Sequence, residues 1–187
     1  MREDILAASL RVFQDEGALR FTTGRVAEAA GVSVGSLYQY FPNKHALAHA
    51  LHEQAVQGML AEAHRLLADE TLSHRMRLRV LARTFFRSEA EEMAAMGAVL
   101  RDAELLLHND PAAGRRYQEE ILTALERYVC EGCGTGPSER TRRCARLIAL
   151  TLEGVGKSAA EGDWGADDVD QYADACADML AGYIGLA

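Results

Sequence analysis

Proline is scarce in this chain: three occur in 187 residues, at positions 42, 111 and 137. Proline breaks helix interiors, so the long proline-free stretches leave helices free to run. Period-two alternation of apolar and polar residues is equally hard to find, whereas apolar residues recur close to every 3.6 positions. That pattern excludes a sheet protein and predicts an all-α fold of about nine helices. No apolar run approaches the ~20 residues needed to cross a bilayer, so neither a transmembrane helix nor a membrane partner is expected. The opening Met1-Arg2-Glu3-Asp4 leads into an amphipathic pattern with no apolar run and cleavage site, so export is not expected and the chain reads as cytoplasmic. The four cysteines (Cys130, Cys133, Cys144, Cys176) are then expected to be reduced thiols and not a disulfide framework. A cation excess is lacking too: 20 Lys and Arg stand against 28 Asp and Glu, a net charge of -8, so any contact with DNA must be local.

What is present is the material of a core. Hydrophobic residues make up 49% and charged residues 26%, close to the globular average, and the length suits one compact domain or two small ones sharing a core. Ile5, Leu6, Ser9, Leu10 and Phe13 form a first helical face ending at Gly17. Thr23 is placed to cap a short helix ending at Ala30, Ser33 to cap another from Val34 to about Tyr40, and Asn43 to cap a long one running through Leu66 after the break at Pro42. Ser73 begins a further helix through Phe85, and Met93 to Leu107 read as its continuation or as a separate helix. Asp110-Pro111 is a cap with proline at the first helical position, opening a helix with Tyr117, Ile121, Leu125 and Tyr128 on one side. Glu131 to Pro137 is glycine-rich and reads as a loop, followed by helices at about 138–160 and 166–186.

The segment that carries most information is TTGRVAEAAGVSVGSLYQYFPNK, read from Thr22. Two short helices form a helix-turn-helix when small residues let them cross closely and apolar residues lock the crossing. Ala27 faces such a crossing, Gly31 permits the sharp turn, and Val26, Ala30, Val32 and Leu37 supply a miniature core. A recognition helix that enters a major groove needs small residues at its leading end, which Ser33, Gly35 and Ser36 provide. Helix starts at Thr23 and at Asn43-Lys44 offer free N–H groups to phosphates, and Tyr38, Gln39 and Tyr40 are long or flat polar side chains suited to phosphate and base-edge contacts. Between Arg20 and Lys44, three basic residues stand against one acidic.

At this segment the sequence resembles the DNA-binding domain of the TetR family of transcriptional repressors. The likeness rests on the paired threonines, Val26-Ala27-Glu28-Ala29-Ala30-Gly31-Val32-Ser33, Gly35, Leu37-Tyr38, Tyr40-Phe41 and Lys44, and covers about residues 1–50. Over 51–187 only the helical character and the length agree. The resemblance implies a three-helix DNA-binding domain at 1–50 and a helical ligand-binding and dimerisation domain at 51–187. It implies phosphate contacts at Tyr38, Tyr40 and Lys44, with Val34, Gly35, Ser36 and Gln39 near bases; Thr23, Arg25 and Ser33 complete the expected double-stranded operator DNA surface.

A single helix-turn-helix buries too little surface for tight specific binding, and pairing onto two half-sites is the usual remedy, so a homodimer is expected. The last two helices carry the small and apolar residues for it: Leu147, Thr151, Gly154, Val155 and Ser158, then Ala173, Cys176, Leu180 and Tyr183. The resemblance also implies a cavity for a small-molecule effector, apolar or amphipathic, among the middle helices. Candidates to line it are Phe85, Met93, Met96, Leu100, Tyr117 and Ile121, with Glu104 or His108 to orient a polar group. A rival input is thiol chemistry at Cys130-Glu131-Gly132-Cys133, although no second CxxC and no nearby histidine completes a zinc set. His45, His49 and His52 share a face of the fourth helix, with a solvated or hinge-facing role expected, and Glu89, Glu91 and Glu92 are expected on an exposed face. No phosphate loop, nucleophile elbow or HExxH occurs, so no catalytic residue, metal or cofactor is assigned, and a helical enzyme acting on a bound small molecule stays as the remaining alternative.

Overall fold

The computed structural model describes the backbone of residues 1–17, 20–107, 111–162 and 164–186, and the side chains at these positions outside 95–114. Eight helices account for the described residues: α1 (Arg2–Glu16), α2 (Thr23–Ala30), α3 (Val34–Tyr40), α4 (Lys44–Leu67), α5 (His74–Leu107), α6 (Pro111–Cys133), α7 (Glu139–Glu161) and α8 (Ala166–Ile184). The all-α expectation holds, with one helix fewer than anticipated. Met93 to Leu107 continue α5 without interruption, since no proline or cap interrupts the chain after His74. The glycine-rich stretch is also shorter as a loop than expected, because α6 runs through Gly132 to Cys133. A Cβ on Gly132 would lie 2.3 Å from Leu186 Cδ2 and 3.0 Å from the His74 ring, so the helix tolerates glycine there as a seat for other side chains. The expected cap at Asp110 lies outside the described residues.

Two compact units make up the chain: Met1–Gln57 with Glu92–Asp110, and Gly58–Glu91 with Pro111–Ala187. The expected domain boundary at residue 50 falls inside α4. In the first unit, Ile5, Val12, Phe13, Phe21, Val26, Leu37, Phe41 and Leu47 form one buried cluster, with Phe13 and Phe21 stacked at 3.7 Å between ring centres. In the second unit the core draws on α4 to α8 through Leu66, Leu78, Phe86, Leu125, Tyr128, Ile148 and Leu180. Tyr128 is buried to 1% exposure and its hydroxyl donates to the His74 carbonyl at 2.6 Å. Burial raises the pKa of its phenol, so it stays neutral.

Two polar devices organise the second unit. Arg77, 6% exposed, donates from Nη1 to the Leu67 carbonyl and from Nε to the Leu72 carbonyl, both at 3.1 Å, and so closes the end of α4 and the turn after it. Along α5 and α8, Arg79 donates from Nη2 to both carboxylate oxygens of Asp178 at 2.7 Å, Arg83 donates from Nε and Nη2 to the two oxygens of Asp174 at 2.6 and 2.5 Å, and Arg87 donates from Nε and Nη2 to the two oxygens of Asp170. The hydrogen bonds from Arg79 and from Arg87 hold the Asp178 and Asp170 carboxyls below the ordinary aspartate range.

Candidate nucleic-acid interface

The helix-turn-helix is built by local chemistry. Thr22, not Thr23, caps α2: its backbone is extended and its hydroxyl accepts from the Arg25 N–H at 3.3 Å. Thr23 is thereby released, and its hydroxyl lies 3.2 Å from that of Tyr38, joining the start of α2 to α3. Gly31 ends α2 at φ 68°, a left-handed conformation that glycine adopts without steric penalty. Ser33 caps α3 as expected, accepting from the Ser36 N–H at 3.0 Å, and the two serine hydroxyls are 2.8 Å apart. Asn43 caps α4 through the Ala46 N–H at 2.8 Å, with Lys44 exposed beside it.

Of the seven residues of α3, Leu37 is the one fully buried, while Val34, Tyr38 and Tyr40 are 43–47% exposed and Gly35 and Gln39 are open to solvent. Leu37 docks on Val26, Ala27 and Phe41, so the opposite face of α3 is left outward. A Cβ at Gly35 would meet nothing nearer than the Ser33 hydroxyl at 3.7 Å, so the backbone at the leading end of α3 is open to close approach. Three short helices around one apolar cluster, with a polar, small-residue helix turned outward, define a helix-turn-helix DNA-binding protein.

A model of the bacterial regulatory proteins of the tetR family matches residues 5–51. Along more of the chain, the nucleoid occlusion factor SlmA of Vibrio campbellii is 31% identical over 149 residues, 74% of each protein. The chain belongs to the TetR family of bacterial transcription regulators, and it is a DNA-binding regulator of that family. Among solved structures, the TetR family repressor AlkX of a Dietzia species superposes with a TM-score of 0.69 at 21% identity, over 98% of this chain and 95% of that one. FadR of Thermus thermophilus, solved with lauroyl-CoA, does so at 0.64 and 25% identity, over 96% and 93%.

Charge counting along the segment misleads at Arg25. Its Nε and Nη2 reach both oxygens of Glu16 at 3.1 and 2.5 Å, and Nη1 reaches Glu28 at 2.6 Å. The hydrogen bond from Arg25 lowers the Glu16 pKa, and the guanidinium is correspondingly reinforced in its charged form. Arg25 is therefore neutralised by one carboxylate from α1 and one from α2, and the local excess of cations is smaller than the sequence count implies. Glu16 was not visible as part of this site because its partner lies on the next helix.

The remaining expected sites separate in the structure. Of the residues assigned to a dimer face, Leu147, Gly154, Ser158 and Tyr183 are exposed, and Thr151 and Val155 are half-buried. Ala173, Cys176 and Leu180, at 0%, 9% and 1% exposure, pack into the chain's own core and present nothing to a partner. The outward apolar residues are instead Leu150 (63%) on α7 and Tyr172 (50%) and Met179 (60%) on α8, with Ala175 and Gly182 beside them. The sequence signal for them is a second apolar stripe on α8, offset from the one that the core consumes.

The ligand candidates Phe85, Met93, Tyr117 and Ile121 are half-buried. Phe85 lies edge-on to Phe86 and fills the notch at Gly156, where a Cβ would meet its ring at 3.0 Å. The side chains of Met96, Leu100 and Glu104, and His108 as a whole, lie outside the described residues. Cys130 and Cys133 sit one turn apart on α6, both half-buried, and the Cys133 thiol donates to the Ile184 carbonyl at 3.6 Å. His52 and Glu92 pair at 2.7 Å, which places Glu92 in a contact and not on a free face. No group of three His, Cys, Asp or Glu among the described residues is placed to hold a metal, and no helix there is long and apolar enough to cross a membrane.

Proposed function

We propose that the protein is a homodimeric repressor that binds operator DNA through α3 and is released by a small apolar or amphipathic effector. The observation that carries the DNA half is the division of α3, with Leu37 buried and Val34, Gly35, Tyr38, Gln39 and Tyr40 outward. Ser33 and Ser36 order the leading end of that helix, and Thr23, Tyr38, Tyr40 and Lys44 serve as phosphate contacts, leaving Val34, Gly35, Ser36 and Gln39 for base edges. The likeness to a FadR solved with lauroyl-CoA makes acyl-CoA the first effector class to test. The effector acts by favouring a subunit geometry that no longer matches successive major grooves, so effector and operator lower each other's affinity by the same factor.

The test is binding to an operator selected from random duplexes, followed by fluorescence anisotropy. Tyr38→Ala should weaken binding to every duplex by roughly a hundredfold, the loss of one hydrogen bond to a charged oxygen (~1.5 kcal/mol) in each of the two subunits, with the dimer intact. Gln39→Ala should change which duplexes are preferred. Wild-type affinity in Tyr38→Ala would remove that contact, and unchanged operator affinity under saturating acyl-CoA would remove that effector class.

Glu28 gives a second test, since it occupies one arm of Arg25. Glu28→Gln should tighten binding to a random-sequence duplex and steepen the dependence of log K on log salt by up to ~2, as one more phosphate per subunit becomes neutralised. An unaltered slope would place Arg25 away from the DNA.

A further inference from the structure

α8 carries three stripes, and two of them are apolar. Val169, Ala173, Cys176, Leu180 and Ile184 point into the core at 9% exposure or less. Tyr172, Ala175, Met179 and Tyr183 repeat with the same helical spacing, displaced by roughly 100° around the axis, and are exposed. Burial of apolar surface is non-directional, so a helix with two such stripes has two competing ways of lying on the same core. The third stripe, Asp170, Asp174 and Asp178, lies on the flank of the core stripe away from Tyr172 and Met179, and meets Arg87, Arg83 and Arg79 of α5 in antiparallel order.

We infer that the arginine–aspartate ladder between α5 and α8 selects the roll of α8, holding Cys176 and Leu180 inward and keeping Tyr172, Met179 and Tyr183 available to a partner. Rolling the second apolar stripe into the core would carry all three aspartates away from α5 at once. The ladder discriminates roll and not axial position: Arg75 lies 3.5 Å from Asp178 and Arg79 3.8 Å from Asp174, so a slip of one turn would find new partners. Axial position is held instead by Leu186, just past the end of α8, seated at Gly132 of α6. Exposed ion pairs add little to stability, but a set of them that only one arrangement satisfies can choose between arrangements of similar apolar burial. The inference rests on the dimer reading for the use of the outer stripe, not for the roll itself.

The experiment uses the full chain carrying Cys130→Ser and Cys133→Ser, which leaves the two buried thiols Cys144 and Cys176. Modification by a thiol reagent is followed well below the melting temperature and assigned by peptide mass. With Asp174→Asn and Asp178→Asn added, Cys176 should react at least tenfold faster while Cys144 and the helix content are unchanged, and the dimer dissociation constant should rise at least tenfold. Exchanging charges across one rung, Arg83→Asp with Asp174→Arg in the chain that keeps Asp178, should keep Cys176 slow, whereas Asp174→Arg alone should not. Should the neutral variant not fold, the chain with all aspartates intact in 1 M against 0.05 M KCl provides the same comparison, with faster Cys176 labelling expected at high salt. Cys176 labelling that stays slow in both comparisons, or that rises only together with Cys144, overturns the inference. Faster labelling of Cys176 with no change in self-association would support the roll and overturn the dimer reading alone.

Discussion

A Met179→Lys chain should sediment as a monomer at micromolar concentration, keep its helix content and melting temperature, and lose operator binding. Met179 is 60% exposed in the single chain, so placing an ammonium there disturbs no core contact and should change the stability of the subunit by no more than about 0.5 kcal/mol. In a twofold interface the same substitution enters twice. Each buried, unpaired ammonium costs several kcal/mol, enough to raise the dissociation constant by a factor of at least ~100. Loss of the dimer separates the two recognition helices, which need a fixed spacing of about 34–36 Å to occupy successive major grooves. Met76 offers the comparison: it is 41% exposed on α5, outside the α7 and α8 stripes, and Met76→Lys should leave both dimer and operator binding intact. Sedimentation velocity and anisotropy read both variants. A Met179→Lys protein that remains dimeric and binds as tightly as before would take α8 out of the interface.

That prediction uses a surface the sequence pointed to only in part. The helix-turn-helix was legible because everything that builds it lies within a few residues: Ser33 and Asn43 cap the helices they precede, Gly31 makes the turn, and Val26, Ala27 and Leu37 repeat at contact spacing. Even there, either of two adjacent threonines satisfies the capping rule, and the choice of Thr22 follows from the Tyr38 hydroxyl that takes up Thr23. Features set by distant residues were not legible. Arg25 reads as a free cation until Glu16 is brought beside it, and Gly132 reads as a loop residue until Leu186 and His74 occupy the space its missing side chain leaves. On α8 the periodicity supplies two apolar stripes of equal standing, and which one turns inward is decided by arginines 83 to 99 residues away. The continuity of α5 was obscured for a different reason: the charged run around Glu89 to Glu92 interrupts the apolar pattern without containing any residue that stops a helix.

Arg77→Met should lower stability by about 3 kcal/mol, the largest effect expected from any single polar side chain of the second unit. Arg77 is 6% exposed, and its guanidinium is held by the Leu67 and Leu72 carbonyls. Leu67 is the last residue of α4, so its carbonyl has no partner within the helix, and Arg77 places a cation at the negative end of the helix dipole. Methionine retains most of the apolar stem and the packing it provides, but it donates no hydrogen bond. Two carbonyls in a partly dry turn then go unpaired, at roughly 1–3 kcal/mol each, partly offset by no longer burying a charge. For a chain of this length, 3 kcal/mol corresponds to a fall of about 6–12 °C in melting temperature. Arg77→Lys should recover only part of the loss, because one ammonium cannot reach two carbonyls that a planar guanidinium spans from separate nitrogens. Calorimetry of the three proteins orders them as arginine, lysine, methionine. A methionine variant as stable as the parent would show that water satisfies those carbonyls equally well, and that the closure of α4 comes from the packing of Leu66 and Leu67 instead.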